Sequence, residues 1–105
     1  MDPDPTVISD LVRRIRQVAS PRRIILFGSA ARGTMHPNSD LDVLVVVPEG
    51  VHRRRTAQGI YRNLIGLGVP VDVVVATERD LERFGAVDSM VYSPALREGK
   101  LIYVA

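Results

Sequence analysis

The chain has 105 residues, no cysteine, 46% hydrophobic and 25% charged residues, and a formal net charge of +2. A chain of this length can bury one core without staples, so residues 1–105 read as one domain of ordinary globular composition; disorder, a disulfide framework and a thiolate metal site are excluded. The small basic excess gives no argument for direct nucleic-acid binding, and no apolar run reaches the ~20 residues of a membrane span, so the expectation is a cytoplasmic protein.

Asp4-Pro5 has the form of a helix start, a capping side chain with proline at the first helical position. Val7, Ile8, Leu11, Val12, Ile15 and Val18 follow at helical spacing. Arg13, Arg14, Arg16 and Gln17 fall outside that stripe, and Ser20-Pro21 closes the helix. The run RRIILF then reads as a short buried strand that enters a turn at Gly28. A short helix is expected next, with Ser29 as N-cap and Gly33 as terminator, followed by the polar loop TMHPNS.

DLDVLVVV, beginning at Asp40, is too short and too β-branched for a helix and reads as the second strand. Ala57, Ile60, Leu64 and Leu67 mark a second long helix from Arg53 to Leu67, stopped by Gly66, Gly68 and Pro70. VPVDVVVAT is a third strand, and Thr77 with Asp80 resembles a capping box opening a brief helix to Phe84. Beyond the loop GAVDS, Ser93-Pro94 is expected to cap and start a last helix that Gly99 stops, and KLIYV is the final strand. The order α-β-α-β-α-β-α-α-β implies an α/β architecture in which a sheet of about four strands is flanked by helices.

Two strands carry acids where strands disfavour them. Asp40 and Asp42 share one face while Leu41, Val43 and Val45 take the other, with the two acidic Cα atoms ~6.5–7 Å apart at about 3.3 Å rise per residue. Two carboxylates so placed repel each other and are costly to bury unless a cation joins them. Asp72 lies among valines in the same way, so if the strands are neighbours the three carboxylates converge. An oxygen-only donor set suits Mg²⁺, which takes few protein carboxylates and completes its shell with water and substrate phosphates. For Asp40 alone, after Asn38-Ser39, a turn or cap role is the simpler reading; Asp42 and Asp72 have no such simple alternative. Gly28-Ser29 offers a backbone that phosphates can approach closely, beside a helix N-terminus, and Arg32 adds a planar donor fork.

Gly28-Ser29, ten further residues, then Asp40-x-Asp42 and a later Asp72 on a strand resemble the nucleotidyltransferase superfamily of DNA polymerase beta. The longer form GSAARG…NSDLDVLVVV, together with the tail ALREGKLIYV, is similar to the minimal nucleotidyltransferases (MNT). The resemblance covers Ile24 to Tyr103 and implies a nucleotidyltransferase fold with a small mixed sheet. It further implies that Asp40 and Asp42 hold two Mg²⁺ ions and that Asp72 ligates the metal beside the attacking hydroxyl and helps deprotonate it. Gly28 and Ser29, with Ser39 nearby in the nucleotide site, would cradle the β- and γ-phosphates of ATP, and Arg32 would stabilise their charge. Some MNT proteins are antitoxins that transfer AMP from ATP to a tyrosine hydroxyl of a helical HEPN toxin. A cognate HEPN partner is therefore the leading expectation, since no acceptor-binding segment is recognisable here.

Two alternatives stand beside it: an antitoxin that binds nucleotide and neutralises its partner by contact alone, and a small-molecule nucleotidyltransferase of the aminoglycoside type. Tyr61, Tyr92 and Tyr103 read as packing or surface residues. His36 and His52 read as exposed loop residues, and the Arg22-Arg23 and Arg53-Arg54-Arg55 clusters as solvated faces.

Overall fold

A computed structural model describes residues 2–35, 39–84 and 92–105. Asp4 caps α1 (Pro5–Val18), its side chain accepting the Thr6 N–H at 2.8 Å, and Leu11 and Ile15 carry the buried stripe inward. β1 (Arg23–Phe27) leads through Gly28 into α2 (Ser29–Arg32), and β2 (Leu41–Val47) follows. The chain crosses by α3 (Arg53–Asn63) to β3 (Val71–Thr77), continues through α4 (Glu78–Phe84) and α5 (Tyr92–Glu98), and ends in β4 (Lys100–Val104). This is the element order expected from the sequence.

The four strands form one mixed sheet in the order β3-β2-β1-β4. β1 runs antiparallel to both β2 and β4, whereas β2 and β3 are parallel. A parallel pair cannot be closed by a tight turn and needs a crossover, which α3 supplies. Strand alternation divides the core in two. Leu41, Val43, Val45, Val73 and Val75 face Leu11, Ile15 and Ile60 on the side of α1 and α3. Leu44, Val46, Ala76 and Ile25 face Leu81 and Ala95 on the side of α4 and α5.

Three local expectations need correction. Ser29 is the first residue of α2 rather than its cap: Gly28 is the cap, at φ 71° and ψ −151°, a conformation that a side chain would strain. Gly33 ends α2 in the left-handed conformation, as its position suggested. α3 stops at Asn63, one turn before Leu67, because the Leu64 N–H already reaches back to both Ile60 and Tyr61 carbonyls and Gly66 takes φ 92°. α5 begins by Tyr92, so Ser93 and Pro94 lie in its first turn and not ahead of it. The capping box at α4 forms in both directions: Thr77 N–H to Asp80 Oδ2 at 2.9 Å, and Asp80 N–H to Thr77 Oγ1 at 3.1 Å. His36 and the whole loop GAVDS lie outside the described residues.

Candidate active site

The sheet topology decides which residues can meet. Because β1 is antiparallel to β2, the C-terminal end of β1 stands beside the N-terminal end of β2, and Phe27 pairs with Asp42. Because β2 and β3 are parallel, their N-terminal ends coincide, and Asp42 pairs with Asp72. Gly28, Asp40, Asp42 and Asp72 are thereby gathered at one end of the sheet. The two paired acids occupy the face that carries Leu44, Val46, Val74 and Ala76 further along, where the apolar side chains give way to carboxylates.

The site is graded in exposure. Asp42 is partly buried, Asp72 is exposed, and Asp40 stands exposed just ahead of β2. Burial, then the charges of Asp72 and Asp40, raise the Asp42 pKa above the usual carboxylate range, with Arg32 pulling in the opposite direction. A side chain on Gly28 would run into the Asp42 carboxylate, its Cβ lying 3.3 Å from Cγ and closer still to Oδ2. The glycine thus does two things. It supplies the backbone turn, and it leaves the space immediately against Asp42 open.

Ser29 opens α2, and its carbonyl accepts the Thr34 N–H at 3.0 Å. Arg32, one turn on, reaches Glu98 at the end of α5, Nη1 to Oε2 3.2 Å. Ser39 is partly buried beside Asp40. Among the described residues no three His, Asp or Glu side chains close into a ready-made metal cage. The donor set nevertheless fits a hard divalent cation. Two carboxylates face each other across neighbouring strands, and Mg²⁺ typically needs only one or two protein carboxylates when phosphates complete its shell.

His52 has a role that its sequence position did not suggest: its Nδ1 accepts the Arg55 N–H at 3.2 Å and caps α3. Histidine is outside the usual set of capping residues, so no sequence signal pointed there. Arg53 is held by Asp80 at 2.6 Å, and Arg23 by Glu78 at 3.1 Å, so each Arg cluster contains at least one structural ion pair. Tyr61 accepts the Val73 N–H at 2.8 Å, next in sequence to Asp72 on the outer strand of the sheet.

The family model of the nucleotidyltransferase domain matches residues 8–101, nearly the whole chain. This chain belongs to the nucleotidyltransferase domain family. Solved structures share the fold of this nucleotidyltransferase. One is a toxin–antitoxin complex with AMP-PNP, 24% identical, covering 93% of this chain and 73% of that one at a TM-score of 0.65. Another is the toxin–antitoxin pair MntA–HepT, 20% identical, covering 97% and 74% at 0.60. A third is a tri-AMPylated Shewanella oneidensis HEPN toxin in complex with its MNT antitoxin, 17% identical, covering 95% and 71% at 0.60. No curated protein matches the chain. Among the described residues, no helix of the nucleotidyltransferase is long and apolar enough to cross a membrane.

Proposed function

We propose that this nucleotidyltransferase is a Mg²⁺-dependent antitoxin that transfers AMP from ATP to a tyrosine hydroxyl of a cognate HEPN toxin. The observation that carries the catalytic part is the cross-strand pair Asp42–Asp72 with the open turn of Gly28 set directly against Asp42. The partner rests on the shared fold with toxin–antitoxin structures, one of which holds an AMPylated HEPN toxin and one AMP-PNP.

Asp42 and Asp72, with Asp40 at the rim, are the residues that hold divalent metal. When bound, Mg²⁺ neutralises charge on the triphosphate and lowers the energy of the attacking and leaving oxygens in an in-line displacement. Backbone N–H groups at Gly28-Ser29 bind the outer phosphates, Ser39 lines the same nucleotide site, and Arg32 meets the phosphates with its guanidinium. Asp72, the exposed member of the acidic pair, accepts the proton of the acceptor hydroxyl. The hydroxyl oxygen bonds to the α-phosphorus, the bond from that phosphorus to the bridging oxygen breaks, and pyrophosphate leaves with its electron pair. Positioning and charge neutralisation are the main sources of rate in such chemistry.

The test is transfer of label from α-labelled ATP to a co-expressed HEPN protein in the presence of Mg²⁺, read by intact mass. The expected result is a mass gain of one or more AMP units on the HEPN chain, lost in Asp42→Ala. Equal transfer by Asp42→Ala would remove the site assignment, and absence of transfer with neutralisation retained would favour silencing by contact.

A further inference from the structure

Arg32 ends α2 one turn beyond Gly28-Ser29, and its Nη1 lies 3.2 Å from Glu98 Oε2. Both side chains are half exposed, at 50% and 51%, so either can rotate away without opening the core. Glu98 itself is delivered from a fixed backbone. The next residue, Gly99, donates its N–H to Ala95 O at 3.0 Å. A Cβ there would strike that carbonyl and the Ile25 side chain. Lys100 then enters β4 opposite Leu26. The glutamate carboxylate is therefore held beside the C-terminal end of β1, on the side of the sheet that carries Asp42. A carboxylate and a phosphate present the same kind of acceptor pair to a guanidinium fork.

We propose that Glu98 is a placeholder for substrate phosphate: it occupies Arg32 in the nucleotide-free protein, and a bound triphosphate must displace it. This rests on the reading of Arg32 as a phosphate-binding residue. Glu98 then sets the nucleotide affinity of the site without touching the nucleotide, and binding releases the end of α5 from α2. A phosphate carrying more than one negative charge outcompetes a single carboxylate for the same guanidinium, so the pair is easily exchanged. Exposed ion pairs are worth at most about fivefold in an equilibrium, which limits the size of the effect. A purely structural staple between two short helices predicts the opposite sign, since breaking it would loosen α2 and weaken binding.

Isothermal titration of the full chain with α,β-methylene-ATP and Mg²⁺ distinguishes the two, because that analogue cannot be cleaved at the α-phosphorus. Glu98→Gln and Glu98→Ala are each expected to bind about three- to fivefold more tightly than the unsubstituted chain. Arg32→Gln is expected to bind at least about tenfold more weakly, and adding Glu98→Gln to it should give no recovery. If both Glu98 variants bind equally or more weakly while Arg32→Gln is impaired, the placeholder is overturned and the phosphate-binding reading stands. If Arg32→Gln binds as well as the unsubstituted chain, the reading of Arg32 fails and the placeholder falls with it.

Discussion

Asp42 has Phe27 opposite it on β1 and Asp72 opposite it on β3, so it stands where an apolar face meets an acidic rim. Burial and the two neighbouring carboxylates raise its pKa above the value of 3.8 for an isolated side chain. The folded protein thus binds this proton more tightly than the unfolded chain does. Well below the unfolded value the carboxyl is protonated in both states and contributes nothing; as pH rises from there through the raised folded value, its ionisation takes stability away. Above the unfolded value the metal-free protein carries this penalty. Asp42→Asn should therefore raise the melting temperature at pH 7, with the gain fading as pH falls toward 3, while nucleotide transfer drops by at least about a hundredfold. Scanning calorimetry across pH, with a transfer assay at pH 7, checks both halves. A variant less stable than its parent at pH 7 would show that Asp42 is there for the fold. Strand alternation alone could put Asp40 and Asp42 on one face, whereas the meeting of Asp42 with Asp72 needed β2 and β3 to be neighbours in register. The contact between Gly28 and Asp42 could not be read from alternation, because it depends on how β1 ends against the next strand.

α3 shows how an element can be legible in kind and misread in extent. Its apolar stripe continues through Leu64 and Leu67, both of which do pack on the core, yet the helix ends at Asn63 and the chain reaches Leu67 through a turn. Periodicity reports which side chains go inward and not which carbonyls are still bonded along the axis. The residue that receives the loose end is Arg14 of α1, whose Nη1 donates to Asn63 O at 3.1 Å and Ile65 O at 2.8 Å. Asn63 Nδ2 returns a bond to Arg14 O at 2.8 Å, so the two helices are tied in both directions. These partners are 49 and 51 residues apart, which is why Arg14 looked like a solvated helix residue in the sequence. Arg14→Ala is expected to cost about 1–2 kcal/mol, since charge-assisted bonds to helix-end carbonyls are lost from a partly buried position. For a chain of this size that is a fall of roughly 5–15 °C in melting temperature. Unchanged transfer activity in the folded fraction is expected, because Arg14 lies outside the acidic end of the sheet.

At the scale of the whole molecule, the element order and the covering of one sheet by helices on both faces follow from periodicity and turn residues. Strand order did not, since four strands permit several arrangements. Only the combination of an antiparallel β1–β2 pair with a parallel β2–β3 pair brings the Gly28 turn and both paired aspartates to one end. That arrangement concentrates negative charge at a single place in a chain whose formal net charge is +2. The folded state therefore carries a local repulsion that a bound cation and triphosphate together relieve, and anything that binds only the folded state stabilises it by mass action. With Mg²⁺ and α,β-methylene-ATP at a hundred times the dissociation constant, the stabilisation expected is about 2.7 kcal/mol. In a chain of this length this amounts to a rise of roughly 10–20 °C in melting temperature. Neither component alone should produce the full shift, because the nucleotide without metal adds charge to an acidic site and the metal without nucleotide lacks the phosphates that complete its shell. Addition of EDTA should remove most of the shift, and a variant with Asp40, Asp42 and Asp72 all changed to Asn should lose the part of the shift that depends on Mg²⁺. A shift of equal size in that variant would mean that the triphosphate is held somewhere other than the acidic end of the sheet.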